Sequence, residues 1–332
     1  MTVHFRRVIA LCTCLCLFGG GCSNDRPPPP ARTADAAQSP RESEIQTPKH
    51  LETATAHRAK VGHGAELYAA PWFAPHHGTY DLIVHFHGLG KIQEGNLEKT
   101  RINAAVVSIN LGAGTDHYSS AFRDPQSFPK LLADTHEELV KSGRIGEKAQ
   151  LGRVALSAWS AGYVSVERVM SESANAEKID AVLLADGFFT SFTDKKKRTI
   201  NTKPLDRFVK LAELAERDEK LFAITHSAIP TADYPSMDEV CGKFLEMLSM
   251  PKSPSKLVGP RNMHETYAAD KGSFHLKGYE GITAKDHIDQ IRAMGETLWP
   301  YLQQRWQKAD KPEKVEMPAR QAAPATPKAQ KL

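Results

Sequence analysis

Ser160 lies in the run VALSAWSAGYVSV (154–166), where an apolar stretch meets a serine flanked by small residues, Ala158-Trp159-Ser160-Ala161-Gly162. A serine hydroxyl becomes a useful nucleophile when a neighbouring base can take its proton and the chain presents it on a sharp strand-to-helix turn. Small residues two places before and after it leave the backbone room for that turn. Alone, the same pattern also describes a buried contact between a strand and a helix, so its meaning depends on partners. Three are present: His87-Gly88-Leu89-Gly90 closing YDLIVHFHGLG (80–90), Asp186 closing the apolar part of LLADG (183–187), and His287 within AKDHIDQIRAMG (284–295).

The elements that must position these residues alternate. Apolar patterning predicts strands over 66–69, 80–87, 104–110, 152–158, 180–185 and 220–226, and helices over 127–142, 161–173, 205–216, 236–248 and 286–306. Such alternation predicts an α/β fold with a mainly parallel central sheet flanked by helices on both faces. Sites in sheets of this kind gather beyond the carboxyl ends of the strands. His87, Ser160, Asp186 and His226 all fall at or just past predicted strand ends, so one sheet edge would collect them.

Strand-His-Gly, strand-Ser-helix, strand-Asp and a late His, in that chain order, resemble the α/β-hydrolase superfamily over roughly residues 60 to 305. Ala158 stands where that superfamily's GxSxG turn more often carries glycine. The resemblance implies a hydrolase that cleaves an ester, thioester or amide through an acyl-enzyme and needs no cofactor. It implies Ser160 as nucleophile and His287, at the start of the last predicted helix, as base in preference to His226 and His275. Asp186 is the implied acid, with Asp233 the alternative because Pro230 occupies the place after ITHS where many members keep their carboxylate. The N–H groups of Leu89 and Ala161 would receive the developing oxyanion, and His87 would brace the first of those turns. Segment 187–219 is a candidate cap, with Phe188, Phe189 and Phe192 either lining it or joining the core. A reading from a different class is a non-catalytic extracytoplasmic lipoprotein that keeps the fold as a binding module.

The chain ends carry a second message. MTVHFRRVIALCTCLCLFGGGC has two arginines and an apolar stretch too short to span a bilayer, the pattern of a secretory leader over 1–21. Its Gly19-Gly20-Gly21-Cys22 ending resembles a bacterial lipoprotein cleavage site, although Gly19 stands where leucine is usual, and implies a lipid on Cys22. Ser23 after it implies outer-membrane or periplasmic placement; without lipidation the product would be secreted. Only Cys241 then remains as a thiol, expected to be buried. Residues 22–56, with Pro27 to Pro30 in a row, read as a tether, 57–308 as the catalytic domain and 309–332 as a tail.

Composition narrows the partners. With 41% hydrophobic residues and a formal charge of +4, part of it from Arg6 and Arg7 in the leader, nothing predicts a nucleic-acid partner. Lys195-Lys196-Lys197-Arg198 reads as a solvated loop. His85 and His87, two apart on a predicted strand, could share a zinc ion, but Leu89 stands where a metallo-β-lactamase pattern needs aspartate, so no metal is expected. The expected partners are a small-molecule or lipid-like acyl substrate and, through the anchor, a membrane, with the protein a monomer.

Overall fold

The computed structural model describes residues 55–310. The leader, Cys22, the tether up to residue 54 and the tail beyond 310 lie outside the described residues. Ten strands form one sheet: β1 (His57–Lys60), β2 (Glu66–Ala69), β3 (Thr79–Phe86), β4 (Ala104–Ile109), β5 (Gln150–Trp159), β6 (Ile179–Ala185), β9 (Leu221–His226), β10 (Ser253–Pro254), β11 (Glu265–Lys271) and β12 (Phe274–Tyr279). β7 (Phe192–Asp194) and β8 (Thr199–Ile200) make a separate hairpin. The order in the sheet is β1-β2-β4-β3-β5-β6-β9-β12-β11-β10. From β4 to β12 every pairing is parallel, and the antiparallel pairings lie towards the two edges. This is the α/β-hydrolase type of architecture.

Alternate residues of the central strands feed two different cores, because successive side chains on a strand point to opposite faces. Leu82, Val84 and Phe86 of β3, Val182 and Leu184 of β6, and Phe222 and Ile224 of β9 share one core. Ile83, Ala181, Leu183, Leu221 and Ala223 share the other. The first is covered by α3 (Ser127–Lys141), α4 (Tyr163–Ser171), α6 (Asp206–Glu216) and α7 (Met237–Met247), whose periodic apolar stripes face it. Over the second lie α1 (Gly90–Thr100), α8 (Ala284–Arg292), α9 (Met294–Thr297) and α10 (Trp299–Asp310). Two short helices, α2 (Thr115–Ala121) and α5 (Ser173–Lys178), complete the set. No helix among the described residues is long and apolar enough to cross a membrane.

Three expectations need correction. The helix expected over 161–173 begins with a tight 3-10 turn at Ser160–Gly162, runs as α4, and stops at Ser171 before α5. The helix expected over 286–306 is three helices. Pro300 lacks the N–H that would continue the hydrogen-bond ladder, so it is held in the first turn of α10. The segment 187–219 is for the most part not a cap: Phe188 is fully buried, its ring 5.1 Å from Phe208 and 5.0 Å from Phe244, and α6 packs on the sheet.

Candidate active site

Each candidate residue follows a strand. Ser160 comes directly after β5, His87 after β3 and Asp186 after β6, and these three strands are neighbours. All three residues take left-handed backbone angles, with φ of 50°, 74° and 43° respectively. That region is sterically disfavoured for residues with a Cβ, and such residues persist where surrounding packing dictates them. Here the packing is visible at two glycines. A Cβ on Gly162 would stand 2.2 Å from the Phe86 carbonyl oxygen, so only glycine lets the Ser160 turn close on the end of β3. A Cβ on Gly187 would stand 2.6 Å from the backbone nitrogen of Ser160, which lets the Asp186 turn close on the same serine.

Asp186 is buried and fully engaged. Its Oδ1 accepts the Ser227 N–H at 2.9 Å, while Oδ2 accepts the Ser227 hydroxyl at 2.7 Å and pairs with His287 Nδ1 at 2.7 Å. Burial by itself would raise its pKa, but the hydrogen bond and charge of His287, with the two Ser227 donors, outweigh this and hold the carboxyl below its ordinary value. The group therefore stays ionised and fixes which imidazole nitrogen carries the proton. Asp233 is elsewhere: it is exposed and paired with Lys195 at 2.6 Å. Arg198, from the same basic run, pairs with Glu239.

His287 stands in the first turn of α8, whose amino end is secured by a reciprocal cap between Thr283 and Asp286. The other two histidines lie apart from this pair. His226 is buried between Tyr267 (2.6 Å) and the Ser227 carbonyl (2.9 Å), and burial lowers its pKa. His275 is near the amino end of β12, opposite the Ser160 edge, and pairs with Asp270 at 2.6 Å.

Trp159 links the serine turn to His287. Its indole N–H donates to the His287 carbonyl at 2.9 Å, and its ring lies 4.6 Å from the His287 ring. Among the described residues the Ser160 hydroxyl has no hydrogen-bond partner; catalytic hydrogen bonds are often long before substrate arrives. Leu89 is the cap residue preceding α1 and is 63% exposed, whereas Ala161 is buried in the Ser160 turn. Their two turns are the ones that Gly162 brings together.

His87 braces its turn: Nδ1 pairs with the Tyr118 hydroxyl at 2.7 Å, and the ring stacks on Trp159 at 4.8 Å. Burial, helped by the nearby His287, pushes its pKa down to about 4, so it is neutral at neutral pH. His85 does not share a face with it. The positive φ at His87 breaks the strand alternation, and His85 is instead fully buried against Ser157 (2.9 Å) and the His87 carbonyl (2.8 Å). Among the described residues no group of three or more His, Cys, Asp or Glu side chains is placed to hold a metal ion. Sequence reasoning missed Ser227 and the role of Trp159. A hydroxyl one residue past the end of β9, the strand beside β6, was the available signal for the first.

No family model matches the chain, and no curated protein matches it. Its fold is similar to that of several solved enzymes. A feruloyl esterase module from Clostridium thermocellum, complexed with sinapinate, is 14% identical with a TM-score of 0.41, covering 78% of this chain and 94% of its own. A ferric enterobactin esterase from Salmonella typhimurium is 12% identical with a TM-score of 0.44, over 78% of this chain and 60% of the esterase. An acylaminoacyl peptidase from Pyrococcus horikoshii is 15% identical with a TM-score of 0.37, over 72% of this chain and 39% of the peptidase. The likeness is one of fold.

Proposed function

We propose that this chain is a serine hydrolase acting on a carboxylic ester, thioester or amide, with Ser160 as nucleophile, His287 as base and Asp186 as acid. The observation that carries the reading is the 2.7 Å contact between Asp186 and His287, whose ring lies against that of Trp159, the residue immediately before a serine on a left-handed strand-to-helix turn. In this reading Ser160 Oγ attacks the carbonyl carbon and its proton passes to His287 Nε2. The tetrahedral oxyanion is received by the N–H groups of Leu89 and Ala161. His287 then returns the proton to the leaving group, and the acyl-enzyme is hydrolysed by a water that His287 deprotonates in turn. Asp186, kept ionised by its contact with His287 and by the two Ser227 donors, stabilises the imidazolium formed in both halves. A fluorophosphonate probe tests the reading: the folded chain should be labelled, and Ser160→Ala should not. Absence of Ser160-dependent labelling would favour the non-catalytic binding module instead.

We propose further that the protein acts at the bacterial cell envelope, held by a lipid on Cys22. A tether of residues 22–56 would let the domain stand off the membrane by a distance on the order of tens of ångströms. Metabolic labelling with a fatty-acid analogue should mark the wild type and not Cys22→Ser; equal labelling of both would remove the anchor from the account.

A further inference from the structure

We infer that Trp159 is a positioning residue for the base, clamping both the ring and the backbone of His287 so that base and nucleophile keep one register. The inference rests on the serine-hydrolase reading above and adds a residue to it.

The bond from His287 Nδ1 to Asp186 Oδ2 fixes one atom of the imidazole, but the ring can still rock about that contact. Rocking displaces Nε2, the atom that must exchange a proton with Ser160. Trp159 supplies two further restraints. Its ring lies against the imidazole with centroids 4.6 Å apart and planes 33° apart, and its N–H holds the His287 carbonyl at 2.9 Å. One face of the ring and the main chain behind it are thereby held by a single side chain.

The clamp is itself held. His87 stacks on Trp159 with planes only 9° apart and centroids at 4.8 Å, and the Tyr118 hydroxyl fixes His87 Nδ1 at 2.7 Å. Tyr118 is fully buried, and its hydroxyl also accepts the Leu111 N–H at 2.9 Å. A continuous line of contacts therefore runs from Tyr118 through His87, Trp159 and His287 to Asp186 and Ser227. It joins the turns after β3, β5, β6 and β9 to α8. Because Trp159 and Ser160 are consecutive, a shift of the nucleophile turn carries the clamp with it. The indole face also suits the charge cycle, since an aromatic face attracts a cation such as the imidazolium that forms when His287 takes the proton.

Misplacing a catalytic group by about an ångström can lower a rate by roughly 10²-fold without removing any chemistry. The test compares side chains that keep or lose a flat face at position 159, in the full chain, with p-nitrophenyl butyrate as substrate. Trp159→Phe keeps the face and should retain kcat within about 5-fold, whereas Trp159→Leu should lower kcat by about 10- to 100-fold with KM nearly unchanged. Proton NMR gives a readout independent of turnover. The downfield Nδ1 proton of His287 should be sharp in the wild type and Phe variant and exchange-broadened in the Leu variant. Equal losses of kcat in the Phe and Leu variants, no loss in either, or an unchanged downfield proton in the Leu variant would overturn the clamp. If Trp159→Leu does not fold, Trp159→Met makes the same comparison. A wild type with no turnover on any ester would sink the serine-hydrolase reading, while the NMR arm would still decide the clamp.

Discussion

At their carboxyl ends, β3, β5 and β6 lead into His87, Ser160 and Asp186, each in left-handed backbone. Near their amino ends the same strands carry Asp81, Arg153 and Asp180 in ordinary extended backbone, each of them partnered. Arg153 pairs with Asp81 at 2.5 Å and holds the Trp306 carbonyl at 3.0 Å. Asp180 takes two nitrogens of Arg305 at 2.7 and 2.9 Å and the Trp306 indole N–H at 2.7 Å. These contacts moor α10 to the sheet. A cleft of about 550 Å³ opens at this end, lined in part by Arg153, Asp180, Tyr301 and Arg305. Large concave pockets are the usual first place to look for a site. Here Arg153 and Arg305 are each paired with a carboxylate, whereas at the carboxyl end the Ser160 hydroxyl has no hydrogen-bond partner among the described residues, and Ser160, His87 and Asp186 take disfavoured backbone, each costing about 1–3 kcal/mol. Left-handed backbone is not confined to the carboxyl end, since Asp218 beside the cleft has a φ of 60°; the open serine hydroxyl, on a turn packed against the Asp186 turn, rather than cavity size or strain, marks the candidate reactive end.

The contrast can be broken most sharply at Ser160. Ser160→Ala should leave melting unchanged and lower ester hydrolysis by about 10⁴-fold or more, measured with p-nitrophenyl esters. If activity survives, the carboxyl end is not the reactive one.

Asp186→Asn comes next, with an expected loss of about 10⁴-fold in kcat, because the amide cannot hold the required imidazole tautomer. The same carboxylate predicts a pH dependence of folding. Its folded-state pKa lies below the ordinary 3.8, so its stabilising contribution is complete above that value and is lost as pH falls through the lower, folded value. Denaturant midpoints measured from pH 6 downwards should fall more steeply in the wild type than in Asp186→Asn.

Gly162→Ala probes the packing that dictates the strain. The new Cβ would press on the Phe86 carbonyl, and overpacking of this kind lowers stability by about 1–3 kcal/mol. Chemical denaturation should show that loss together with weaker turnover, since the Ala161 and Leu89 turns would be pushed apart.

The smallest functional effect is expected at the amino end. Arg305→Ala removes the bidentate partner of a half-buried Asp180 and should lower stability by about 1–2 kcal/mol, with kcat within 2-fold of wild type. A large change in kcat there would dissolve the distinction between the two ends.

Much of this was legible in the sequence, for a local reason. The runs that became β3, β4, β5, β6 and β9 are continuous and apolar, as strands buried on both faces must be, and α3, α6 and α7 carry stripes at helical spacing. α1 escapes the apolar pattern because its hidden side, Leu97 apart, is mostly polar. Gln93, Asn96 and Thr100 are buried, with Gln93 bonded to His85 and Asn96 holding the Ile291 carbonyl and the Gly295 N–H, so the helix lacks an apolar stripe. The segment around Gly295 reads as one long helix because its apolar spacing continues across Ala293 and Leu298, the residues that separate α8, α9 and α10 and that themselves keep right-handed helical angles.

The candidate site divides in the same way. That Ser160 would sit on a tight turn and Asp186 at a strand end follows from neighbouring residues: apolar runs, small flanks, and the Asp-Gly pair. That Asp186 rather than Asp233 meets His287, that Ser227 supplies two donors to that carboxylate, and that Trp159 lies between His87 and His287 follow from no local pattern. Residues 101 and 128 positions apart meet there. Patterns of burial and turn chemistry are properties of consecutive residues and can be read in one dimension. Which side chains meet across the end of the sheet is set by strand order and by how closely glycines let the turns approach, and only the packed chain decides both.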